Sequence, residues 1–232
     1  MPTCLQLALS NPVAGREDEF NRWYEHDHLR NGVLTPGILA GQRFRRADGP
    51  WPSGKHEYLT IWEIDDPAFA LAQLASVKGT DAMPISPAID MSTVQPPTMW
   101  RRATVRSRAR IAVDTSERGA LILMLANACE GQGGVFEASL LRGGLADLAD
   151  APGVIVAELL TLAEQQIRGN ARKYAYGLLL EIHDEAVAVA SLRDRLPALP
   201  LLDSERFVAI VFRPLGHRLT REAAGRRATG PV

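Results

Sequence analysis

The chain has 232 residues, of which 46% are hydrophobic and 23% are charged, and its formal net charge is −1. These values are typical of globular chains, so they exclude a fully disordered protein, and the length allows one large domain or two small ones. The near-zero charge gives no overall field that would attract nucleic acid or an anionic membrane, so neither is expected as a partner.

The cysteines and the N-terminal sequence indicate the cellular compartment in which the protein is expected. Cys4 and Cys129 form no Cys-x-x-Cys pair, and two cysteines cannot build a disulfide framework, so we interpret them as buried free thiols. The N-terminus shows no basic segment followed by a long apolar run. The longest apolar stretch, residues 120–126, is far shorter than the ~20 residues of a membrane span. The sequence therefore predicts a cytoplasmic protein.

The first half follows the order strand, helix, strand, strand, helix, strand. In chain order the pattern predicts a strand over 5–9, a helix over 16–33, strands over 39–46 and 57–64, a helix over 68–77 and a strand over 99–111. Asp66 and Pro67 stand at the start of the second helix, as is typical of a capping carboxylate followed by a first-turn proline. Pro36 and Gly37 lead from the first helix into the second strand.

The second half repeats this order with little identity. The predicted elements are a strand over 120–126, a helix over 135–150, strands over 155–163 and 174–182, a helix over 185–195 and a strand over 206–212. The pair Pro152-Gly153 lies 116 residues after Pro36-Gly37, and Glu181-Ile182 lies 118 residues after Glu63-Ile64. This nearly constant offset indicates a tandem duplication.

Each half has the ferredoxin-like order β-α-β-β-α-β, in which both helices cover one face of a four-stranded antiparallel sheet. Because the two bare sheet faces can pack together, we predict an α+β fold of two ferredoxin-like repeats that form a pseudo-dimeric α+β barrel. The predicted repeats cover 1–113 and 118–213, and a basic tail over 214–232 is expected to be mobile or packed on the surface. Both a monomeric pseudo-dimer and a homodimer remain open.

The opening helix carries the most unusual residues. On a helical wheel Phe20, Trp23, Tyr24, Asp27 and His28 share one arc, whereas the matching stretch of the second half is rich in leucine. A purely structural helix would present aliphatic residues on that arc. The asymmetry predicts a functional site in the first half, in a hollow left between the two facing sheets.

Four segments of the first half form a recognisable pattern. They are Asn11-Pro12, the run Glu19-Phe20-Asn21-Arg22-Trp23-Tyr24-Glu25-His26-Asp27-His28, the turn Thr35-Pro36-Gly37-Ile38 and the strand segment Gln42-Arg43-Phe44. Over about the first 65 residues this pattern resembles the EthD-like family of the dimeric α+β barrel superfamily. The superfamily includes isomerases, polyketide cyclases, monooxygenases, lyases and heme-handling proteins. The resemblance therefore implies the barrel fold and a small-molecule site, but no single reaction.

The candidate catalytic residues lie on the opening helix. His28 is the leading candidate for proton transfer because an imidazole titrates near neutral pH, and a satisfied structural histidine is the alternative. Tyr24 could donate to a developing oxyanion, and Asp27 could orient the imidazole or bind a hydroxyl group. His26 points away from the arc and is expected in solvent. The spacing of His26, Asp27 and His28 fits no helical metal motif, so no metal is predicted.

The candidate substrate-binding residues are Phe20, Trp23, Arg43, Tyr58 and Trp62. The aromatic rings suit a flat ligand, with ordinary core packing as the alternative. Arg43 shares a strand face with Arg45, so either both approach a pocket or both face solvent, and the second placement is preferred. Arg106, Arg108 and Arg110 alternate on one strand, and we interpret them as a solvated sheet edge rather than a nucleic-acid site.

The leading hypothesis is a cofactor-independent enzyme of lyase or isomerase type that acts on a small aromatic or conjugated carbonyl compound. The first alternative is a non-catalytic protein that binds a hydrophobic metabolite or heme, with His28 as the axial ligand of a heme. A further alternative is a barrel whose interior is filled by its own side chains.

Overall fold

Eight strands pair into a closed antiparallel ring. The computed structural model describes residues 4–48, 55–108, 119–167 and 172–226. The strands are β1 (Cys4–Ser10), β2 (Ile38–Arg46), β3 (Tyr58–Ile64), β4 (Thr98–Arg106), β5 (Ala120–Ala128), β6 (Val154–Leu162), β7 (Tyr176–Ile182) and β8 (Leu202–Pro214). Neighbours follow the order β3-β1-β4-β6-β7-β5-β8-β2, and the pairing of β2 with β3 closes the ring. A short β9 (Leu219–Thr220) adds to β2.

The helices lie outside this ring. They are α1 (Glu17–Trp23), α2 (Leu29–Leu34), α3 (Pro67–Val77), α4 (Gly133–Ser139), α5 (Leu145–Ala149), α6 (Glu185–Leu192) and α7 (Arg221–Arg226). A π-helical turn over Tyr24–His28 joins α1 to α2, and a kink over Leu140–Gly144, where Gly143 leaves the helical conformation, joins α4 to α5. Asp66 caps α3 by accepting from the amide of Phe69, and Asp184 caps α6 by accepting from the amide of Val187.

The predicted tandem barrel is confirmed. The Pro-Gly turns of the two repeats make the same bonds, with the amide of Asp65 donating to Gly37 and the amide of His183 donating to Gly153, both at 3.0 Å. Both glycines have positive φ values, 88° and 85°, which explains why glycine stands at each turn. The repeats join where β4 pairs with β6 and β2 pairs with β8. The predicted boundary between 113 and 118 lies outside the described residues.

The interior of the ring is filled by side chains, so the expected hollow between the sheets is wrong. Both repeats contribute apolar residues that are almost fully buried there: Leu5, Leu7, Leu9, Phe44, Leu59 and Ile61 from the first, and Leu121, Leu123, Leu125, Leu179, Ile210 and Phe212 from the second. The cluster joins side chains from both repeats into one core. Any ligand site must therefore lie elsewhere.

The sequence predicted a sheet edge at the arginine-rich strand, but this prediction is wrong. β4 pairs with β1 on one side and with β6 of the other repeat on the other side. Arg101 approaches Glu158 at 3.3 Å, and Arg102 approaches Glu137 at 2.9 Å. Arg101 and Arg102 of β4 therefore form ion pairs with neighbouring elements of the second repeat, β6 and α4. Arg110 lies outside the described residues.

Residues that follow β8 pack on the first repeat. Arg218 forms two bonds to the carboxylate of Glu63, at 2.8 and 2.6 Å, and Arg221 donates to the carbonyl groups of Val33 and Thr35 at the end of α2. Ala224 on α7 is fully buried. Up to residue 226 the observed placement is therefore packing on the surface, one of the two placements that the sequence left open. Cys4 is buried as expected, whereas Cys129 is exposed.

Candidate functional site

A cavity lies on the outer side of the sheet, between β1 and β3 below and the opening helix above. About 60 Å³ of it is open to the centres of water molecules, enough for roughly four or five waters. Its lining residues are mostly apolar and include Ala8, Trp23, Tyr24, Trp62, Leu74, Met83, Met91 and Val94, with Ile167 contributed by the second repeat. The polar lining residues are Gln6, Ser10, His28 and Lys78.

Strand β1 supplies two polar groups that the sequence analysis missed. Its leucines point into the filled ring, and alternation turns Gln6, Ala8 and Ser10 outward to the cavity. Gln6 is 3% exposed and Ser10 is 1% exposed, yet Gln6 Nε2 and Ser10 Oγ have no hydrogen-bond partner. Polar residues in alternation with leucines on a strand that helices cover were the available signal. Buried polar atoms without partners are rare and point to a bound water or ligand.

The π-helical turn decides how His28 is presented. The amide of Leu29 donates to the carbonyl of Tyr24, five residues earlier, so residues five apart are brought onto one side. The rings of Trp23 and His28 consequently stack, with centroids 4.3 Å apart and planes 25° apart. A regular helix, as assumed from the sequence, would separate these two residues by about 140°. Irregular turns of this kind are frequent at functional sites.

Two glycines make room for the indole of Trp62. A Cβ atom on Gly32 of α2 would lie 2.2 Å from Trp62 Cη2, and one on Gly41 of β2 would lie 3.0 Å from Trp62 Cε3. The indole therefore stands between helix and strand and forms one wall of the cavity. Its ring meets the imidazole of His28 edge to face, with centroids 5.9 Å apart.

The imidazole of His28 is uncharged at neutral pH. Burial away from water, reinforced by the positive charges of Lys78 and Arg43, lowers its pKa to about 3. Its Nδ1 atom is buried and has no hydrogen-bond partner. This pKa lies well below the neutral range expected from the sequence. One nitrogen of the neutral ring carries a proton and the other can accept one.

Arg43 is buried rather than exposed, which corrects the preferred placement of its strand face. It is 4% exposed, its Nη2 donates to Asn21 Oδ1 at 2.8 Å, and its guanidinium lies 4.2 Å from the ring centre of Tyr24. Arg45 reaches out to Glu17 at 2.9 Å and stays half-exposed. The two arginines lie on the same strand face but differ in burial. The rings of Phe20, Tyr24 and Tyr58 cover Arg43, whereas Arg45 remains half-exposed. Arg43 Nη1 has no partner.

The predicted site residues separate into three groups. Trp23, Tyr24, His28 and Trp62 line the cavity. Phe20, Arg43 and Tyr58 are buried together behind Tyr24, where the hydroxyl of Tyr58 donates to Glu17 and accepts from Asn21 at 3.1 Å. Asp27 is exposed and does not line the cavity, and His26 is exposed as expected. The sequence thus identified the helix and its aromatic wall, but not the groups on β1.

The described residues contain no group of three or more His, Cys, Asp and Glu side chains that could hold a metal ion. Within the same ranges no helix is long and apolar enough to cross a membrane.

Solved structures resemble this chain in fold. An anthrone oxidase-like protein superposes with a TM-score of 0.66 at 11% identity, over 94% of this chain and 92% of the other. A candidate monooxygenase from Fusobacterium nucleatum gives 0.60 at 9% identity, over 94% of each chain. A candidate chlorite dismutase gives 0.52 at 10% identity, over 97% and 99%. No family model matches the sequence, and no curated protein is significantly similar to it. The chain therefore has the dimeric α+β barrel fold.

Proposed function

We propose that the outer cavity of the first repeat binds a small aromatic or conjugated carbonyl compound, and that His28 accepts a proton from it. The protein would then be a cofactor-independent enzyme of lyase or isomerase type. The observation that carries the proposal is that three residues with a buried, unpartnered polar atom line one aromatic cavity: Gln6 (Nε2), Ser10 (Oγ) and His28 (Nδ1). Such atoms cost free energy unless a ligand or water completes their hydrogen bonds.

The lining fits a flat, electron-rich ligand. The indoles of Trp23 and Trp62 offer broad apolar surfaces on either side of His28. None of the described residues that line the cavity carries a carboxylate, while Lys78 contributes an ammonium group. A ligand oxygen that gains negative charge is therefore favoured there over a cationic group.

Proton transfer follows from the same charges. With its Nε2 protonated, neutral His28 presents Nδ1 as the acceptor of a proton from the carbon next to the carbonyl group. The electron pair left behind forms an enolate, whose oxygen accepts from Gln6 Nε2. The positive charges that lower the pKa of His28 also stabilise this enolate. Return of the proton to another carbon completes an isomerisation, and loss of a leaving group completes an elimination.

The sequence-based roles change accordingly. We assign the oxyanion contact to Gln6 rather than to Tyr24, because Gln6 Nε2 lacks a partner, and Tyr24 becomes a wall residue backed by Arg43. Asp27 takes no part, because it is exposed and outside the lining. The resemblance of the first 65 residues to the EthD-like family supports a small-molecule site of this kind, and we propose membership as a divergent relative.

A heme does not fit this cavity. The macrocycle is many times larger than the roughly four or five waters that the space can hold, and the rings of Trp23 and Trp62 lie against His28. We therefore assign no step to heme.

A deuterium-exchange assay tests the proposal without knowledge of the natural substrate. One-ring conjugated ketones and lactones, such as 2-cyclohexenone and 2(5H)-furanone, would be incubated with the protein in D2O and followed by NMR. We expect exchange above the buffer rate at the CH2 next to the carbonyl group of the ketone and at C5 of the lactone, where loss of a proton gives an enolate, reduced ~100-fold or more in His28→Gln. Indole fluorescence would report binding separately.

The exposed neighbour provides the control. His26→Gln, two residues away and in solvent, should keep full exchange. If the wild-type protein binds the ligand but exchanges deuterium no faster than His28→Gln does, the protein is a binding protein and not an enzyme. Loss of both binding and exchange in Gln6→Leu, with unchanged folding by circular dichroism, is expected. Absence of binding across the panel would contradict the proposal.

A further inference from the structure

A second cleft lies at one end of the barrel, where the two repeats meet. It is lined by Lys55 and His56 before β3, by Ser92, Thr93 and Gln95 from the segment before β4, by Lys173 and Tyr174 before β7, and by Val208 on β8. Its volume open to water centres is about 510 Å³, far larger than that of the cavity beside His28. It shares no lining residue with that cavity.

The two lysines occupy equivalent positions of the duplication. Lys173 lies 118 residues after Lys55, the same offset that relates β7 to β3. The chain contains only three lysines among its 26 basic residues, and each lines one of the two spaces, Lys78 the cavity beside His28 and the other two this cleft. All three lysines, which are compact and strongly hydrated cations, therefore lie at concave surfaces.

A duplicated asparagine clamp fixes the backbone at both lysines. Asn11 Nδ2 donates to the carbonyl of Lys55 at 2.8 Å, and its Oδ1 accepts from the amide of Glu57 at 2.7 Å. Asn127, 116 residues later, donates to the carbonyl of Lys173 at 3.0 Å and accepts from the amide of Ala175 at 2.9 Å. The two ammonium groups therefore extend from held points of the backbone rather than from free loops.

Two lysines and a histidine make the lining of this cleft basic. None of its described lining residues is acidic. His56 Nε2 lies 2.9 Å from the carbonyl of Thr93, which makes Nε2 the protonated nitrogen. Burial lowers the pKa of His56, and the charges of Lys173, Lys55 and Arg46 add to this effect although the bond to Thr93 opposes it. The hydroxyl groups of Ser92 and Thr93 already donate to Asp90, to its carboxylate at 2.6 Å and to its carbonyl at 2.9 Å.

We propose that this cleft binds a multiply charged oxyanion of the phosphate type through Lys55 and Lys173. Two ammonium groups from different repeats suit a group with several negatively charged oxygens better than a single carboxylate. Tyr174 and Val208 offer an apolar surface beside them, so an aromatic phosphate ester is expected to bind more tightly than inorganic phosphate. Because the anion contacts both repeats, its binding also stabilises their junction.

Titration with inorganic phosphate and with phenyl phosphate tests this site. We expect saturable NMR shifts of the His56 ring protons and a higher pKa for His56 when the anion is bound, because negative charge offsets the lysines. Lys55→Gln and Lys173→Gln should each weaken binding about fivefold, and the double variant ~25-fold. Tighter binding of phenyl phosphate points to an organic ester, and equal binding to the free anion.

The matched control removes two positive charges elsewhere. Arg193 and Arg195 are exposed near the end of α6, so the double substitution Arg193→Gln with Arg195→Gln should leave phosphate binding within twofold of wild type. An equal loss in this control would mean that general charge, not the cleft, attracts the anion. Shifts that never saturate, or a double lysine variant that binds as wild type does, would overturn the proposal.

Discussion

The two repeats share a backbone but fill it differently. Both opening helices are irregular at the same place: the first has a π-helical turn over Tyr24–His28, and the second has a kink over Leu140–Gly144, where Gly143 leaves the helical conformation. Where the first repeat has Tyr24, Gly32 and Trp62, the corresponding positions of the second hold Leu140, Leu148 and Leu180, which are buried in one hydrophobic cluster. The irregular turn therefore belongs to the fold, whereas the cavity arises from the choice of side chains around it.

Substitution of Gly32, or of its counterpart Leu148 in the second repeat, should destabilise the protein. Gly32→Ala places a Cβ atom 2.2 Å from Trp62 Cη2, and we expect a net loss of about 2 kcal/mol despite the better helix propensity of alanine. Leu148→Ala opens a void in the second repeat, with an expected loss of about 3 kcal/mol. Urea unfolding measures both. Gly134→Ala, on α4 with no atom near the new Cβ, should not destabilise, and equal losses at all three positions would contradict this reading.

The pH dependence of stability should distinguish the buried imidazole from its exposed neighbour. In the folded protein the pKa of His28 is about 3, against 6.5 in an unfolded chain, so between these values the unfolded state binds more protons. The contribution of His28 to the free energy of unfolding is complete above pH 6.5. It is lost as the pH falls, by up to about 1.4 kcal/mol per pH unit. His28→Gln should flatten the unfolding free energy between pH 6.5 and 5, whereas His26→Gln should leave the slope unchanged. A wild-type slope equal to that of His28→Gln would show that the imidazole is solvated.

The smallest effects should come from the arginines that follow the barrel. Arg218 binds Glu63 where the two side chains are 26% and 11% exposed, and Arg218→Gln should cost about 1 kcal/mol. Arg213 binds Glu185 at 2.8 Å with its own side chain 57% exposed, and Arg213→Gln should cost no more than about 0.5 kcal/mol. Thermal unfolding of the two variants, each compared with wild type, measures the difference. If Arg213→Gln proved the more harmful, the attachment of this segment to the first repeat would be weaker than its contacts suggest.

Much of the fold could be predicted because local signals agreed. The Pro-Gly turns, the capping aspartates and the alternating strands recur at one offset, and each has a local physical cause in a positive φ, an N-cap bond or a buried face. The barrel was predicted from the two bare sheet faces, but the strand pairs that close it, such as β4 with β6, were not, because they depend on residues far apart in sequence.

The site was predicted only in part, for geometric reasons. A helical wheel of 100° per residue separates Trp23 from His28, and the π-helical turn removes that separation. Arg43 looked solvent-facing because alternation identifies a face but not what covers it. Gln6 and Ser10 belong to no sequence motif. They stand out only in the structure, where both residues line the cavity and neither Gln6 Nε2 nor Ser10 Oγ has a hydrogen-bond partner.

The pairing of strands across the two halves has a consequence for how such a chain could arise. Each half alone would leave β2 and β4 of the first, or β6 and β8 of the second, without the neighbours they now have. Exposed strand edges seek partners, so an ancestral single unit would have had to assemble in pairs. Within one fused chain the two copies need not be symmetric, so the first can carry Trp23, Trp62 and His28 while the second has leucines such as Leu140, Leu148 and Leu180 in its core.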